Sequence, residues 1–442
     1  MRNIKIINDF LRILQQPRQR EIKAFMSWAS QHAIIVDSLD GLKADIEQFS
    51  CLDKFMEGKR VVFLGEEDHW IHEKSDYRLM LLRYFISRGF RYIGEELGWS
   101  DGIRVDNYLK TGNETYLERI ATYGYKGALR KDRDDKPIGI MKSQSDNYPV
   151  KEYKSEQLRL IRALRDISEE YKDTSDRIHY FGFDLDTLTG GGYEDGEELL
   201  AAFKSEPTVL SILSLINRVQ GETLEEEMKR LVNVLDKVKS LEDDLKKLLG
   251  ETRYGILQEH IQTLYDSLKF NQIINPALDY EAVGTAMAAR EEVMQRHVKF
   301  ILSQMKPNDK LVLMGHNRHL SKESGMIKNA GAVSPGGYSG PSLGTYINRL
   351  LPNQVFSIWQ LHEQGKGSQP YTELKKEYSS IQRTLNPILS KVASKYMITT
   401  SGVPLLEKEI DITGIYNNVF RTSIAKQADA IFIIRKVSPM KL

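Results

Sequence analysis

Two short stretches far apart in the chain constrain its fold more than anything else in the sequence. Val61-Val62-Phe63-Leu64-Gly65-Glu66-Glu67-Asp68-His69-Trp70 is a β-branched and aromatic run that reaches a glycine and then delivers carboxylates and an imidazole. Leu311-Val312-Leu313-Met314-Gly315-His316-Asn317-Arg318-His319 repeats the plan with an apolar run, a glycine and two histidines. Open α/β sheets keep their chemistry at strand C-termini, so both stretches read as strands whose ends carry a site. The chain has 9 histidines, and four of them (His69, His72, His316 and His319) fall in or beside these two ends.

The remaining pattern supplies the elements such a sheet needs. Residues 3–31 have amphipathic helical spacing broken near Pro17, and 42–57 return to it. Tyr77, Leu81, Leu82, Phe85 and Ile86 recur at three and four, predicting a helix over 73–88 between strands at 60–64 and 90–94. As a parallel crossover, this unit would bring residues 65–70 and 95–99 to one edge of the sheet. The stretch 125–152 is rich in Lys, Asp, Gly and Pro and reads as a long excursion, while the triple glycine at 190–192 reads as a turn. A helix at 154–171 precedes a strand at 177–183 that ends in Gly182-Phe183-Asp184. Residues 207–305 are helical throughout, with a stripe opened by a Thr223-x-x-Glu226 capping box and closed by Gly250, and a long helix after Pro276. Later strands fall at 355–361, 396–400 and 430–435. The expectation is an α/β fold, with a central mostly parallel sheet flanked by helices. Its catalytic domain would span 1–194 and 291–442, with a helical insertion subdomain at 195–290.

Composition narrows the function classes. Lys+Arg (62) and Asp+Glu (61) nearly cancel, which argues against nucleic acid as a partner, because neutralising phosphates requires a basic excess. Cys51 is the single cysteine, so an intrachain disulfide and a thiolate-rich metal site are both excluded, and a reducing compartment is the natural reading. No apolar run approaches the ~20 residues that span a bilayer, and charge interrupts the first residues too often for a signal-peptide core. A cytoplasmic protein that acts on a small molecule, away from membranes, is expected; oligomeric state leaves no trace in the pattern.

If the strand ends meet, the edge collects Glu66, His69, Glu95 or Glu96, Asp184, His316 and His319, with alternation admitting one of the two adjacent glutamates. A carboxylate beside an imidazole fixes the tautomer and raises basicity, as a general base requires. Arg78, nine residues after His69, can pair with a carboxylate or meet an anionic intermediate. By composition, His316-x-x-His319 with Glu66 and His69 could also ligate zinc, iron or manganese, but the helical HExxH arrangement is absent. A serine or cysteine acyl-enzyme is disfavoured, since there is no Gly-x-Ser-x-Gly elbow and Cys51 has no neighbouring base.

These residues carry a resemblance. Gly65-Glu66-Glu67-Asp68-His69-Trp70-Ile71-His72-Glu73, Arg78, Glu96-Leu97-Gly98-Trp99 and His316-Asn317-Arg318-His319 together resemble the erythromycin esterase family, whose members include succinoglycan biosynthesis proteins. Gly182-Phe183-Asp184, Arg290-Glu291-x-x-Met294 and Ser342-Leu343-Gly344-x-Tyr346 support the match. The resemblance implies an ester or macrolide lactone hydrolase that works without an obligatory metal or other cofactor. In it His69 draws a proton from water, with Glu66, Glu96 (rather than Glu95), Arg78 and His316 completing the catalytic set. Glu73, Trp99, Arg318 and His319 are then placed at the substrate. Arg318 departs from the small residue usual in this motif, and the Gly- and Pro-rich loop 331–341 also departs. Two rivals remain, a metal-dependent hydrolase on the same scaffold and a non-catalytic small-molecule-binding protein.

Overall fold

The computed structural model describes residues 17–117, 155–171, 176–186, 199–216, 219, 221–274, 280–329, 341–368, 375–378, 384–414 and 419–440. Residues 3–16, the excursion at 125–152, the triple glycine and the loop 331–340 lie outside them. In chain order the strands are β1 (Ile34–Ile35), β2 (Val61–Glu66), β3 (Phe90–Gly98), β4 (His179–Asp184), β5 (Lys310–His316), β6 (Lys328–Asn329), β7 (Val355–Ser368), β8 (Lys375–Tyr378), β9 (Lys395–Thr399), β10 (Ile410–Thr413), β11 (Val419–Thr422) and β12 (Ala430–Val437). The principal helices are α1 (Gln19–His32), α2 (Glu73–Ser87), α3 (Trp99–Thr111), α4 (Ser155–Ser168), α5 (Pro207–Ile216), α6 (Leu224–Ser240), α7 (Glu242–Leu249), α8 (Glu251–Ile274), α9 (Tyr280–Gln304) and α10 (Leu343–Leu350). The class is α/β with a mostly parallel sheet, as the pattern predicts. The chain divides into two compact units, Met1–Phe90 with Lys310–Met440 and Arg91–Asp309.

In the first unit the strand order is β1-β9-β12-β7-β2-β5. The pairs β12–β7, β7–β2 and β2–β5 are parallel, while β9 and then β1 are added antiparallel. All of β2 is buried, as is β5 after Lys310, so these strands show unbroken apolar runs rather than alternation. Alternation on β12 shows what covers the two faces. Ile431 and Ile433 join Trp359, Leu361, Tyr396 and Ile398 in a core closed by Phe25 and Ala29 of α1. Phe432, pointing the other way, packs its ring 4.8 Å from that of Tyr77 on α2. A separate antiparallel sheet joins β10, β11 and β6.

The second unit holds the parallel pair β3–β4 and the helices α3–α9. Leu231, Val234 and Val238 of α6, Leu245 of α7, and Leu257 and Ile261 of α8 form one apolar cluster. The predicted capping box is present, with Thr223 Oγ1 accepting from the Glu226 N–H and Glu226 Oε2 accepting from the Thr223 N–H. The stripe is not one helix, however. At Leu241 (φ −108°, ψ 20°) the chain turns between α6 and α7, a break that an uninterrupted apolar period does not mark.

The site-bearing strands run further than predicted, to Glu66, Gly98 and His316, because each has a ladder partner past its glycine. Gly65 pairs with Gly315, Glu66 with His316, and Glu95 with Gly182. The first carboxylate and the first imidazole therefore sit on strand backbone rather than in loops.

α3 approaches β4 backbone to backbone, and an added Cβ at Gly102 would lie 1.8 Å from the Gly182 nitrogen. Gly102→Ala should therefore cost about 3 kcal/mol or more. Gly284→Ala, in α9 with no heavy atom within 4 Å of an added Cβ, should gain about 0.5–1 kcal/mol. Urea unfolding midpoints of the two variants check both signs.

Candidate active site

The end of β2 and the start of α2 build the first group. Glu66 is fully buried, and its Oε1 lies 2.5 Å from His69 Nδ1. Its Oε2 lies 2.9 Å from an Arg78 guanidinium nitrogen and 3.7 Å from Lys74 Nζ. Burial alone would raise this carboxyl, but Arg78, Lys74 and His69 outweigh it and hold it at about 2. The ionised carboxylate accepts from Nδ1–H, which leaves the lone pair of His69 on Nε2. Lys74 Nζ also donates to the His69 carbonyl at 2.8 Å, so the residue is held by both ring and backbone. The His69 side chain is 15% exposed, enough to admit a reactant to the ring.

His316, opposite Glu66 in the ladder, has the other tautomer. Its Nδ1 accepts from the Arg318 backbone N–H at 3.2 Å, so its Nε2 must carry the proton it donates to the Glu67 carbonyl at 3.1 Å. The rings of His69 and His316 lie 5.4 Å apart, and His319 stands 6.2 Å beyond His316. Glu67 is itself held from β7. Its Oε2 accepts from the His362 N–H at 2.5 Å and lies 3.0 Å from His362 Nδ1. Burial opposes charge on both members; it leaves Glu67 raised, while Glu67 raises His362. Gly65 is required beneath this arrangement, because an added Cβ would meet Asn317 Oδ1 at 2.2 Å.

Arg318 is half-buried, with its guanidinium carbon 5.6 Å from the Phe420 ring centre. Together with Glu67, His316, Trp359, Leu361, Ile412 and Phe420 it lines a small pocket. Glu73 accepts from Ser438 at both carboxylate oxygens, 2.9 Å from its N–H and 2.7 Å from its hydroxyl, and so ties α2 to residues 438–440.

In the second unit the adjacent glutamates have different partners. Glu95 Oε2 accepts from Gln157 Nε2 at 2.7 Å and from the Tyr180 hydroxyl. Glu96 Oε1 accepts from Arg290 at 2.7 Å, and the same guanidinium donates to both oxygens of Asp184 at 2.8 and 2.6 Å. The register shifts between Glu95 and Gly98, so simple alternation does not by itself aim Glu96. Trp99 is buried against His297, with ring centres 4.5 Å apart, and Phe300.

The structure thus gathers Glu66, His69, Arg78, His316 and His319 in one unit, and Glu96 and Trp99 in the other. The Nε2–H of His316 donates to the Glu67 carbonyl, Arg78 meets a carboxylate, which is one of the two alternatives read from sequence, and both carboxylate oxygens of Glu73 accept from Ser438. Lys74 and the Glu67–His362 pair escape sequence reading. Lys74 looks like a surface lysine at a helix start, though its spacing of four from Arg78 was a signal that both share one helix face. Among the described residues no three His, Cys, Asp or Glu side chains converge as metal ligands do, and no helix is long and apolar enough to cross a membrane.

The fold is α/β, and the gathered residues of the first unit lie at and just after strand ends. The erythromycin esterase model matches residues 86–437, and the chain belongs to that family. The match begins after the Glu66–His69 group, which therefore stands on its geometry. The chain is 22% identical over 357 residues to the putative hydrolase YbfO of Bacillus subtilis, covering 76% of this chain and 72% of the relative. It is 23% identical over 314 residues to erythromycin esterase type I of Escherichia coli, covering 67% and 70%. A crystal structure of a Bacillus cereus protein superposes with a TM-score of 0.67 at 17% identity, over 96% of this chain and 99% of the other.

The depressed Glu66 carboxyl predicts an acid-sensitive fold. Its stabilisation is complete above its unfolded value of 4.5 and is lost as pH falls through about 2. Glu66→Gln should cost about 3–5 kcal/mol at pH 7, since buried Arg78 and Lys74 both lose a counter-charge beside them. The penalty should shrink steadily between pH 4.5 and 2, as urea midpoints across that range will report.

Proposed function

We infer that the protein is a carboxylic-ester hydrolase in which His69 activates water. The observation that carries this reading is the 2.5 Å contact between ionised Glu66 and His69 Nδ1, which aims a lone pair from Nε2. Water gives its proton to Nε2 as its oxygen adds to the ester carbonyl, and Glu66 stabilises the resulting imidazolium. Collapse of the tetrahedral adduct breaks the acyl–oxygen bond, and the same proton passes to the departing alkoxide. Arg78 acts through Glu66, and His316 fixes the wall beside His69. The family resemblance brings Glu96 and Trp99 into the proposal, with Arg290 as the cation that holds Glu96.

The substrate class follows from the relatives called erythromycin esterases. We take it to be a bulky ester or a macrolide lactone. Incubation with macrolides of differing ring size and with simple aryl esters, followed by mass spectrometry for the gain of one water, tests the reading. No gain on any of them would overturn it. His69→Ala should lower turnover by about 10²–10⁴ while leaving the circular dichroism spectrum unchanged. Activity within a few-fold of the parent would remove His69 as the base.

Arg318 is a fixed cation on the cavity wall, and it disfavours substrates that carry their own positive charge. Arg318→Ala should raise turnover of erythromycin, which bears an amino sugar, several-fold relative to a neutral aryl ester. An unchanged ratio would show that Arg318 does not select.

A further inference from the structure

The small pocket that Arg318 helps to line carries polar atoms that the chain itself does not pair. Among the described residues, Trp359 Nε1 and Asn317 Oδ1 have no hydrogen-bond partner, although Trp359 is only 2% exposed and Asn317 6%. A buried indole N–H or amide oxygen ordinarily finds one. Both residues line the pocket, and both lie over the same backbone position. A Cβ added at Gly65 would meet Asn317 Oδ1 at 2.2 Å and Trp359 Cδ1, the atom bonded to Nε1, at 3.2 Å. The Asn317 amide is held in this orientation, because its Nδ2 donates to the Gln360 carbonyl at 2.8 Å and a flipped amide would set oxygen against oxygen. Glu67 Oε1, unpaired among the described residues and on the same lining, offers a second acceptor. Much of the remaining wall is apolar, with Leu361 of β7, Ile412 of β10 and Phe420 of β11.

We propose that this pocket is a subsite for a hydroxyl group carried on an apolar skeleton. A donor and an acceptor over one glycine match a group that gives and takes hydrogen bonds at a single atom, as a hydroxyl does. A carboxylate has no proton to give Asn317, an ammonium has no lone pair for the Trp359 N–H, and an ether oxygen can meet only the indole. Water can make the same hydrogen bonds, but the aliphatic and aromatic wall favours carbon beside the oxygen. The pocket shares His316 with the surroundings of His69, so assigning the hydroxyl to the substrate rests on the reading of this site as an ester hydrolase.

Two measurements on the full chain test the subsite. The chain has 4 tryptophans, so its indole N–H resonances are few, and the one lost in Trp359→Phe belongs to Trp359. Cyclohexanol should move that resonance downfield to saturation, while cyclohexyl methyl ether, which can only accept, should bind several-fold more weakly. The second measurement is kcat/KM for p-nitrophenyl hexanoate and for its ω-hydroxy analogue. The hydroxy ester should be preferred by on the order of tenfold, mainly through KM, and Trp359→Phe should remove most of that preference. A resonance that cyclohexanol leaves in place, or that the ether moves equally, overturns the proposal, as does equal kcat/KM on the two esters in the parent protein. A saturating shift without turnover of either ester supports the subsite and removes the hydrolase reading. Turnover without the shift does the reverse. The ester contrast is read on the parent protein, so it decides even where Trp359→Phe fails to fold.

Discussion

The first unit's site depends on a carboxylate placed where water does not reach it. Glu66 continues a fully buried parallel strand, and a lone carboxylate there would be expensive enough to protonate. The chain meets that cost with the helix that follows. Lys74 and Arg78 are four apart on α2, so one helix face presents both cations to the strand end, while Tyr77 on another face packs on the sheet. Strand, turn and helix are thus fixed to one another electrostatically as well as by packing. With one oxygen turned to the cations, the other is left to orient His69. His316 in the neighbouring strand is held by backbone groups, the Arg318 N–H and the Glu67 carbonyl. The two histidines, with ring centres 5.4 Å apart, therefore hold opposite tautomers for identifiable reasons.

Much of this was readable from sequence because parallel strands buried on both faces must be written as apolar runs, and Val61–Leu64 and Leu311–Met314 could be little else. Amphipathic helices were equally plain. What escaped reading depends on partners remote in sequence. The strands run on to Glu66 and His316 because those residues face each other in the ladder, which no local period states. Lys74 is buried only because Glu66 is. Glu67 meets His362, 295 residues away, and Glu73 meets Ser438, 365 away. Local propensity carries no information on such pairs.

The two adjacent glutamates of β3 show a different limit. Alternation separates them in a regular strand, and they do have different partners, uncharged donors for Glu95 and a guanidinium for Glu96. Yet the register shift after Glu95 adds a residue to β3, and the direction of Glu96 is decided by Arg290 and Asp184 as much as by the pleat. Arg290 reaches both acids from α9, so a long helix distant in sequence sets the geometry at the end of a two-strand ladder.

The tie between the His69 loop and residues 438–440 bears on when the site can exist. Glu73 holds Ser438, the His72 N–H donates to the Ser438 carbonyl at 2.9 Å, Ile71 bridges to Pro439, and the Met440 N–H donates to the Trp70 carbonyl at 3.3 Å. The loop that carries His69 is therefore clasped by a segment made hundreds of residues later in synthesis. During translation Val61–Trp70 leaves the ribosome long before its clasp, and because domains fold as units once their parts are available, this loop cannot take its final form until residues 438–440 have also been made.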